Sequence, residues 1–461
     1  LSSNICRSKG NFTYKNIEDL ENDIKKLNLD IKISSNFELF KKKLVIDNHI
    51  IPNALATHPM EGGDSDEYGS PTELTYRKYE KIARGGAGLI WLEAVSVTKE
   101  GRSNDRQLWI TEDNWKAFRK LNDLIKKSAK EEFGEAFQPK TIIQLNHSGR
   151  YCKANGERNP IIATHKKILD DKIGISQEHP IVTDEYLDSI ILKFVEAARL
   201  SKKAGFDGID IKACHGYLLS ELLSAYNRDG KYGGSFENRT KLMLDIIEKI
   251  KEDKDCEDLL LSSRLNIYDA VPYPDGWGVS KTGGLDIDLE EPKKLIKLLA
   301  QKGVRLISIT MGNPYFIPHI NKPYDIGGYI PEEEVILSCN RLIKGIGEIQ
   351  KSIPQVNIVG VGYSWFREFA SYVGAGSLEK GLCRIVGFGR ESIAYPEFAR
   401  DILENGEMKS NKVCVSCSKC SEMKAKIGTC GCVVRDSKVY VPIYQDMKNR
   451  EVNKSEQGCC S

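Results

Sequence analysis

The stretch GIDIKACHGYLLSELLSAYNRDGKYGGSFENR, Gly208 to Arg239, passes from a short apolar run into an amphipathic pattern, and the turn between them carries Lys212, His215 and Tyr217. An apolar run, a polar turn and a helical segment in that order make one βα unit. The same alternation continues on both sides for about 350 residues. Its strand candidates are NALATHP (53–59), AGLIWLEA (87–94), KTIIQLN (140–146), DGIDIK (207–212), DLLLSSRLN (258–266), VRLISIT (304–310), VNIVGVG (356–362) and CRIVGFG (383–389). Most are followed by a helical pattern, clearest in Thr183–Ala204, where Thr183 is positioned to cap. Eight such repeats predict an α/β fold, a closed (β/α)8 TIM barrel rather than an open doubly wound sheet. A helix over 16–28 lies in an N-terminal extension (1–44), the barrel covers 45–408, and a Cys-rich tail fills 409–461.

Composition narrows the function. Among 461 residues, 67 basic side chains nearly cancel 65 acidic ones, so no global field favours nucleic acid or an anionic membrane, and a small ligand is expected. No apolar run reaches the roughly 18 residues of a membrane span, and LSSNICRSKG at the start lacks the apolar centre of a secretory signal. A soluble, cytoplasmic protein is the expectation. Of the 13 cysteines, Cys414, Cys417, Cys420, Cys430 and Cys432 crowd together, and Cys459 and Cys460 follow. Without a secretory signal, that crowd reads as a metal or cluster site rather than a disulfide framework.

In a (β/α)8 barrel the chemistry sits where strands run into loops. The polar residues there are Glu61, Glu93, Gln144, His147, Lys212, His215, Tyr217, Arg264, Asn313 and Arg390. Their origin in many different strands is the informative feature.

HPMEG after the first strand, QLNHSGR after the third, the opening stretch after the fourth, Arg264 in the fifth and VGFGR ending the eighth resemble the FMN-dependent old yellow enzyme family over residues 45–405. The resemblance implies FMN at the barrel mouth, and a reaction in which reduced flavin passes a hydride to the β-carbon of an activated alkene while a side chain protonates the α-carbon. It casts Tyr217 as proton donor, and His215 with Lys212 as the pair facing the substrate carbonyl. Lys212 departs from the family, which has His or Asn there. By the same carry-over, Gln144 and Arg264 hold the flavin ring. Gly362, Gly389 and Arg390 form the phosphate clamp, and Met60 with Glu61 lies against the flavin. Glu61 is a second departure, since the family has Thr or Cys at that position. A carboxylate there opposes flavin reduction unless Lys212 neutralises it or it stays protonated. YGGSFENR (232–239) reads as a turn and helix start, and 311–325 as a lining of the substrate side.

The tail spacing suits tetrahedral zinc or an iron–sulfur cluster, and spacing alone does not decide. Its place after the barrel resembles the [4Fe–4S] site of 2,4-dienoyl-CoA reductases, which implies Cys414, Cys417, Cys420 and Cys432 as ligands, with Cys430 as the other choice for the fourth. The chain shows no GxGxxG motif behind a strand. Electrons are therefore expected from NAD(P)H visiting the mouth, or from a separate electron-donor protein. Three functions follow: an ene-reductase acting on a small unsaturated carbonyl or enoate, an amine or ether dehydrogenase on the same scaffold, and a flavin redox sensor without turnover. Lys212 weighs against a cationic amine. The oligomeric state is left open.

Overall fold

The structure, a computed structural model, describes residues 6–457. Cys459 and Cys460 lie outside the described residues. Eight parallel strands close on themselves: β1 (Leu55–Thr57), β2 (Leu89–Ser96), β3 (Lys140–Asn146), β4 (Gly208–Ile211), β5 (Leu260–Asn266), β6 (Leu306–Thr310), β7 (Asn357–Gly360) and β8 (Ile385–Phe388). Closure is made where Val386, Gly387 and Phe388 pair with Leu55, Ala56 and Thr57. Each predicted run contains its strand except the second, whose strand runs two residues further to Ser96, and the expected (β/α)8 barrel is the fold.

Helix α1 (Ile17–Lys26) precedes the barrel and buries Leu20 and Ile24, with the Asn16 side chain accepting from the Asp19 amide. The outer ring is α2 (Glu73–Ala83), α3 (Trp115–Phe133), α4 (Asp184–Lys203), α5 (Phe236–Glu252), α6 (Glu290–Gln301), α7 (Val335–Ser352), α8 (Ala370–Glu379) and α9 (Phe398–Asn405). Thr183 caps α4 and Ser235 caps α5, each accepting a backbone N–H three residues on. The YGGSFENR segment is thus the predicted turn and helix start.

An antiparallel hairpin, Leu44–Ile46 against His49–Ile51, closes the barrel at the strand N-termini. Its Ile46 and Ile51 pack on Leu89, Trp91, Ile142, Leu260 and Leu306, filling the lower barrel. Burying side chains of this size is worth about 1.5–3 kcal/mol each.

The tail folds as α10 (Lys419–Ile427) and α11 (Ser437–Gln457) around Met423, Val433, Tyr440 and Met447. It docks on the opposite, C-terminal mouth. Arg77 of α2 grips Asp436 with two bonds of 2.6 and 2.7 Å, and the Cys430 amide donates to the Gly62 carbonyl at 2.6 Å. The Ser416 carbonyl accepts from Asp325 and Ile326, in the loop after β6. Among the described residues, no helix is long and apolar enough to cross a membrane.

Candidate active site

After β4 the backbone passes through two consecutive left-handed residues, His215 (φ +67°) and Gly216 (φ +68°). A Cβ on Gly216 would lie 2.7 Å from the Asn313 amide nitrogen, so glycine is required there on two counts. The left-handed His215 costs on the order of 1 kcal/mol or more. That turn brings Lys212, His215 and Tyr217 onto one cavity of about 530 Å³ at the barrel mouth, which Met60, Glu61, Gln144, Arg264, Gly362, Gly389 and Arg390 also line. The site residues read from the sequence thus share one space, the tail cysteines apart.

The Lys212 ammonium sits 3.7 Å from the centre of the Tyr217 ring, a cation–π contact. The Tyr217 hydroxyl is 3.1 Å from that of Tyr315, whose ring stacks on Tyr151 with centroids 3.8 Å apart. His215 Nε2 is buried without a partner. Burial first, then the charges of Lys212 and Arg264, drive the His215 pKa well below its ordinary value, so the ring is neutral. Burial likewise brings Lys212 down to about 8. It pushes the Tyr217 phenol upward, with Tyr315 and Glu61 adding to the shift.

On the facing side, Gln144 donates to Asp210 Oδ2 at 2.5 Å, Trp91 Nε1 reaches the same oxygen at 2.9 Å, and the Arg264 amide donates to Oδ1 at 2.6 Å. Asp210 therefore fixes the Gln144 amide and leaves its carbonyl to the cavity. Burial raises the Asp210 pKa to about 6. Arg264 Nε is buried and unpartnered. An idle guanidinium nitrogen and an idle imidazole nitrogen, facing a cavity that already holds an oriented amide, fit a planar, acceptor-rich ring such as that of FMN. Gly362 is left-handed (φ +98°), and Arg390 is anchored by the Pro323 carbonyl at 2.6 Å.

Glu61 does not depend on Lys212 for charge balance. Lys424 of α10 lies 2.6 Å from its Oε1, with Ser103 Oγ at 2.5 Å and Asn104 Nδ2 at 3.1 Å. Burial alone would raise this carboxyl's pKa, but Lys424 first and Lys212 second outweigh it and hold the group below its ordinary range. Of the two conditions that would relieve the carboxylate's opposition to flavin reduction, protonation is disfavoured, and neutralisation comes from Lys424 first with Lys212 second.

Some strand-end candidates are structural. A register shift in β2 between Leu92 and Ala94 leaves Glu93 bonded to Lys78 of α2 and to the Gly62 amide. His147 bonds the Tyr186 hydroxyl at 2.9 Å, and Asn313 donates to the Tyr151 hydroxyl at 3.1 Å. Within 311–325 the cavity is lined by Pro314, Tyr315, Asn321, Lys322 and Pro323, whereas Phe316 lies under Lys172 and His319 bonds Tyr329.

Cys414, Cys417, Cys420 and Cys432 line a second, small cavity of about 20 Å³, and Arg390 forms part of its wall and of the large cavity's wall. Cys430 lines the large cavity instead. Among the described residues, no three Cys, His, Asp or Glu side chains converge to hold a single metal ion.

A closed parallel barrel of eight strands with this cavity at its C-terminal mouth places the chain in the (β/α)8 class, whose active sites lie at that face. The chain belongs to the NADH:flavin oxidoreductase / NADH oxidase family, whose family model matches residues 38–409. It is 28% identical over 379 residues to an NADH oxidase of Thermoanaerobacter brockii, covering 81% of this chain and 52% of that protein. It is 34% identical over 209 residues to an NADPH dehydrogenase of Clostridium acetobutylicum, covering 45% of this chain and 58% of that protein. The chain thus spans a little over half the length of these curated relatives. The fold is shared with a 2-naphthoyl-CoA reductase in complex with 2-naphthoyl-CoA (TM-score 0.66, 21% identity, 86% of this chain and 57% of that one). It is shared too with an old yellow enzyme homologue from Zymomonas mobilis (TM-score 0.58, 19% identity, 81% and 94%).

Proposed function

We propose that the protein is an FMN-dependent ene-reductase acting on an alkene conjugated to a carbonyl or carboxylate, with NAD(P)H or a donor protein supplying electrons. The observation that carries this reading is the single turn that sets Lys212, His215 and Tyr217 against one cavity, with His215 Nε2 buried and unpartnered. In the bound state, reduced FMN supplies the hydride that adds to the β-carbon. Gln144, held by Asp210, and Arg264 would take the ring. Met60 would pack beside it, and Gly362, Gly389 and Arg390 would take the phosphate.

Addition at the β-carbon pushes negative charge onto the conjugated oxygen. Lys212 brings an ammonium to that oxygen, and the neutral His215 ring donates from Nε2 when that nitrogen holds the proton. Tyr217, kept protonated by burial, gives its proton to the α-carbon. The Lys212 charge over its ring then stabilises the phenolate left behind.

The four tail cysteines sharing one cavity are proposed to hold a [4Fe–4S] cluster, with zinc as the second reading. What supports this reading is that Cys414, Cys417, Cys420 and Cys432 line one cavity, as the ligands of a single cluster must. Protein purified without oxygen should hold about four irons per chain; stoichiometric zinc with negligible iron would replace the cluster.

Anaerobic reduction by NADH or NADPH, followed by reoxidation with enones, enoates and dienoyl thioesters, tests the main reading. Reoxidation by at least one of these classes is expected. Reoxidation by none, with reduction driven by amines, would favour an amine dehydrogenase; reoxidation by none without it would leave a redox sensor.

A further inference from the structure

Nine cationic side chains and one carboxylate, Glu61, line the large cavity, although the whole chain carries only two more basic than acidic side chains. Glu61 is matched to Lys424, and Arg150 is matched to Asp170 and Glu221. Lys212, Arg264 and Arg390 face the inner space assigned above to the flavin and the reacting carbonyl, and the Lys322 ammonium donates to Ser421 Oγ of the tail at 3.0 Å. Three cations are left, Lys153, Arg158 and Lys172, and all three lie on the outer part of the lining, where Arg158 and Lys172 are exposed.

Their arrangement is costly unless something offsets it. Lys153 and Arg158 stand directly opposite each other in a two-stranded hairpin, Lys153–Ala154 against Glu157–Arg158, and like charges at such a pair destabilise it. Lys172 approaches from the last turn of the helix Lys167–Ile173. Its ammonium is held by the Phe316 carbonyl at 2.8 Å, and the Arg158 guanidinium by the Ile173 carbonyl at 2.5 Å. Neutral acceptors therefore aim these charges without cancelling them. Among the described residues, no carboxylate lies within 4.0 Å of any of the three. The nearby Asp105 accepts instead from the hairpin amides of Asn155 and Gly156, at 3.1 and 2.6 Å.

We infer that Lys153, Arg158 and Lys172 form a docking site for the phosphates of a ligand whose reactive end reaches His215 and Tyr217 and whose nucleotide tail leaves across this rim. Two ligand sources carry that chemistry: a nicotinamide dinucleotide as electron donor, or an acyl thioester of a nucleotide carrier such as coenzyme A as substrate. The assignment rests on the flavin reading of the inner cavity. It sets the rim apart from the catalytic turn, since charges there select and hold the ligand without touching the reacting atoms.

The test uses the FMN-loaded full chain and ADP, the phosphate-bearing fragment common to both sources, in calorimetric titration. ADP should bind with an affinity that falls as salt rises. Lys153→Gln/Arg158→Gln/Lys172→Gln should lose about tenfold or more of that affinity, while the charge-keeping Lys153→Arg/Arg158→Lys/Lys172→Arg restores binding. Lys153→Gln alone, which breaks no bond within the protein, should weaken ADP in the same direction and stands in if the triple variant fails to fold. The KM for NADPH and the KM for crotonyl-CoA then identify the source, because the one that rises in the Gln variants marks the ligand using the rim. ADP binding that is absent in the wild type, or unchanged in Lys153→Gln and the triple variant, overturns the proposal, as does a weakened ADP site with neither KM altered. Failure of every alkene to reoxidise the flavin would sink the ene-reductase reading but leave the ADP titration standing as its own test.

Discussion

Lys424, on the first helix of the Cys-rich tail, lies 2.6 Å from Glu61 at the end of the first barrel strand's loop. The carboxylate that departs from the old yellow enzyme pattern is thus neutralised from outside the barrel. Lys424→Met should leave a bare anion beside the flavin and make it harder to reduce, lowering the midpoint potential. Glu61→Thr should leave a bare cation and raise it. Each shift should reach roughly 30 mV, the change that corresponds to a tenfold shift in a two-electron couple. Spectroelectrochemical titration reads both signs, and shifts in the same direction would mean that the pair does not face the ring.

Tyr217→Phe removes the proposed acid and little else, since its hydroxyl bonds only Tyr315. Flavin content should be unchanged, while reoxidation of the reduced enzyme by an alkene should slow by about 10²-fold or more. Stopped-flow reoxidation at wild-type rate would remove Tyr217 from the chemistry.

Burial favours the neutral form of Lys212 and brings its pKa to about 8. Its charge is therefore present below that pH and lost above it. The alkene-reduction step should weaken as pH rises through about 8, and Lys212→Met should be slower at neutral pH and lack that alkaline limb. His215 is already neutral across this range and adds no limb of its own.

Asp210 collects the Gln144, Trp91 and Arg264 donors on two oxygens. In Asp210→Asn one acceptor becomes a donor and faces another donor. A loss of about 1–3 kcal/mol in stability, the cost of an unsatisfied buried group, should appear as a lower Tm together with weaker FMN retention. Retention equal to wild type would show that Gln144 keeps its orientation unaided.

The eight strands were legible because each is an apolar run bounded by turn residues, and the turn of Lys212, His215 and Tyr217 because its members are neighbours in sequence. Glu93 misled because a register shift in its strand cannot be read from alternation. Asp210 was missed although a signal existed: it shares strand parity with Lys212, so it points into the barrel, where a carboxylate needs partners. Lys424 carried no such signal. Only the docking of the tail on the loop at Gly62 brings it to Glu61, across most of the length of the chain.

The hairpin that seats Ile46 and Ile51 in the base of the barrel also has a kinetic consequence. With that end stoppered, a nicotinamide donor and the alkene would come and go through the same doorway and take turns at the same ring. The proposed reaction is then a double displacement: oxidised nicotinamide departs before the alkene is admitted, and initial-rate plots run parallel. A surplus of either reactant blocks the other.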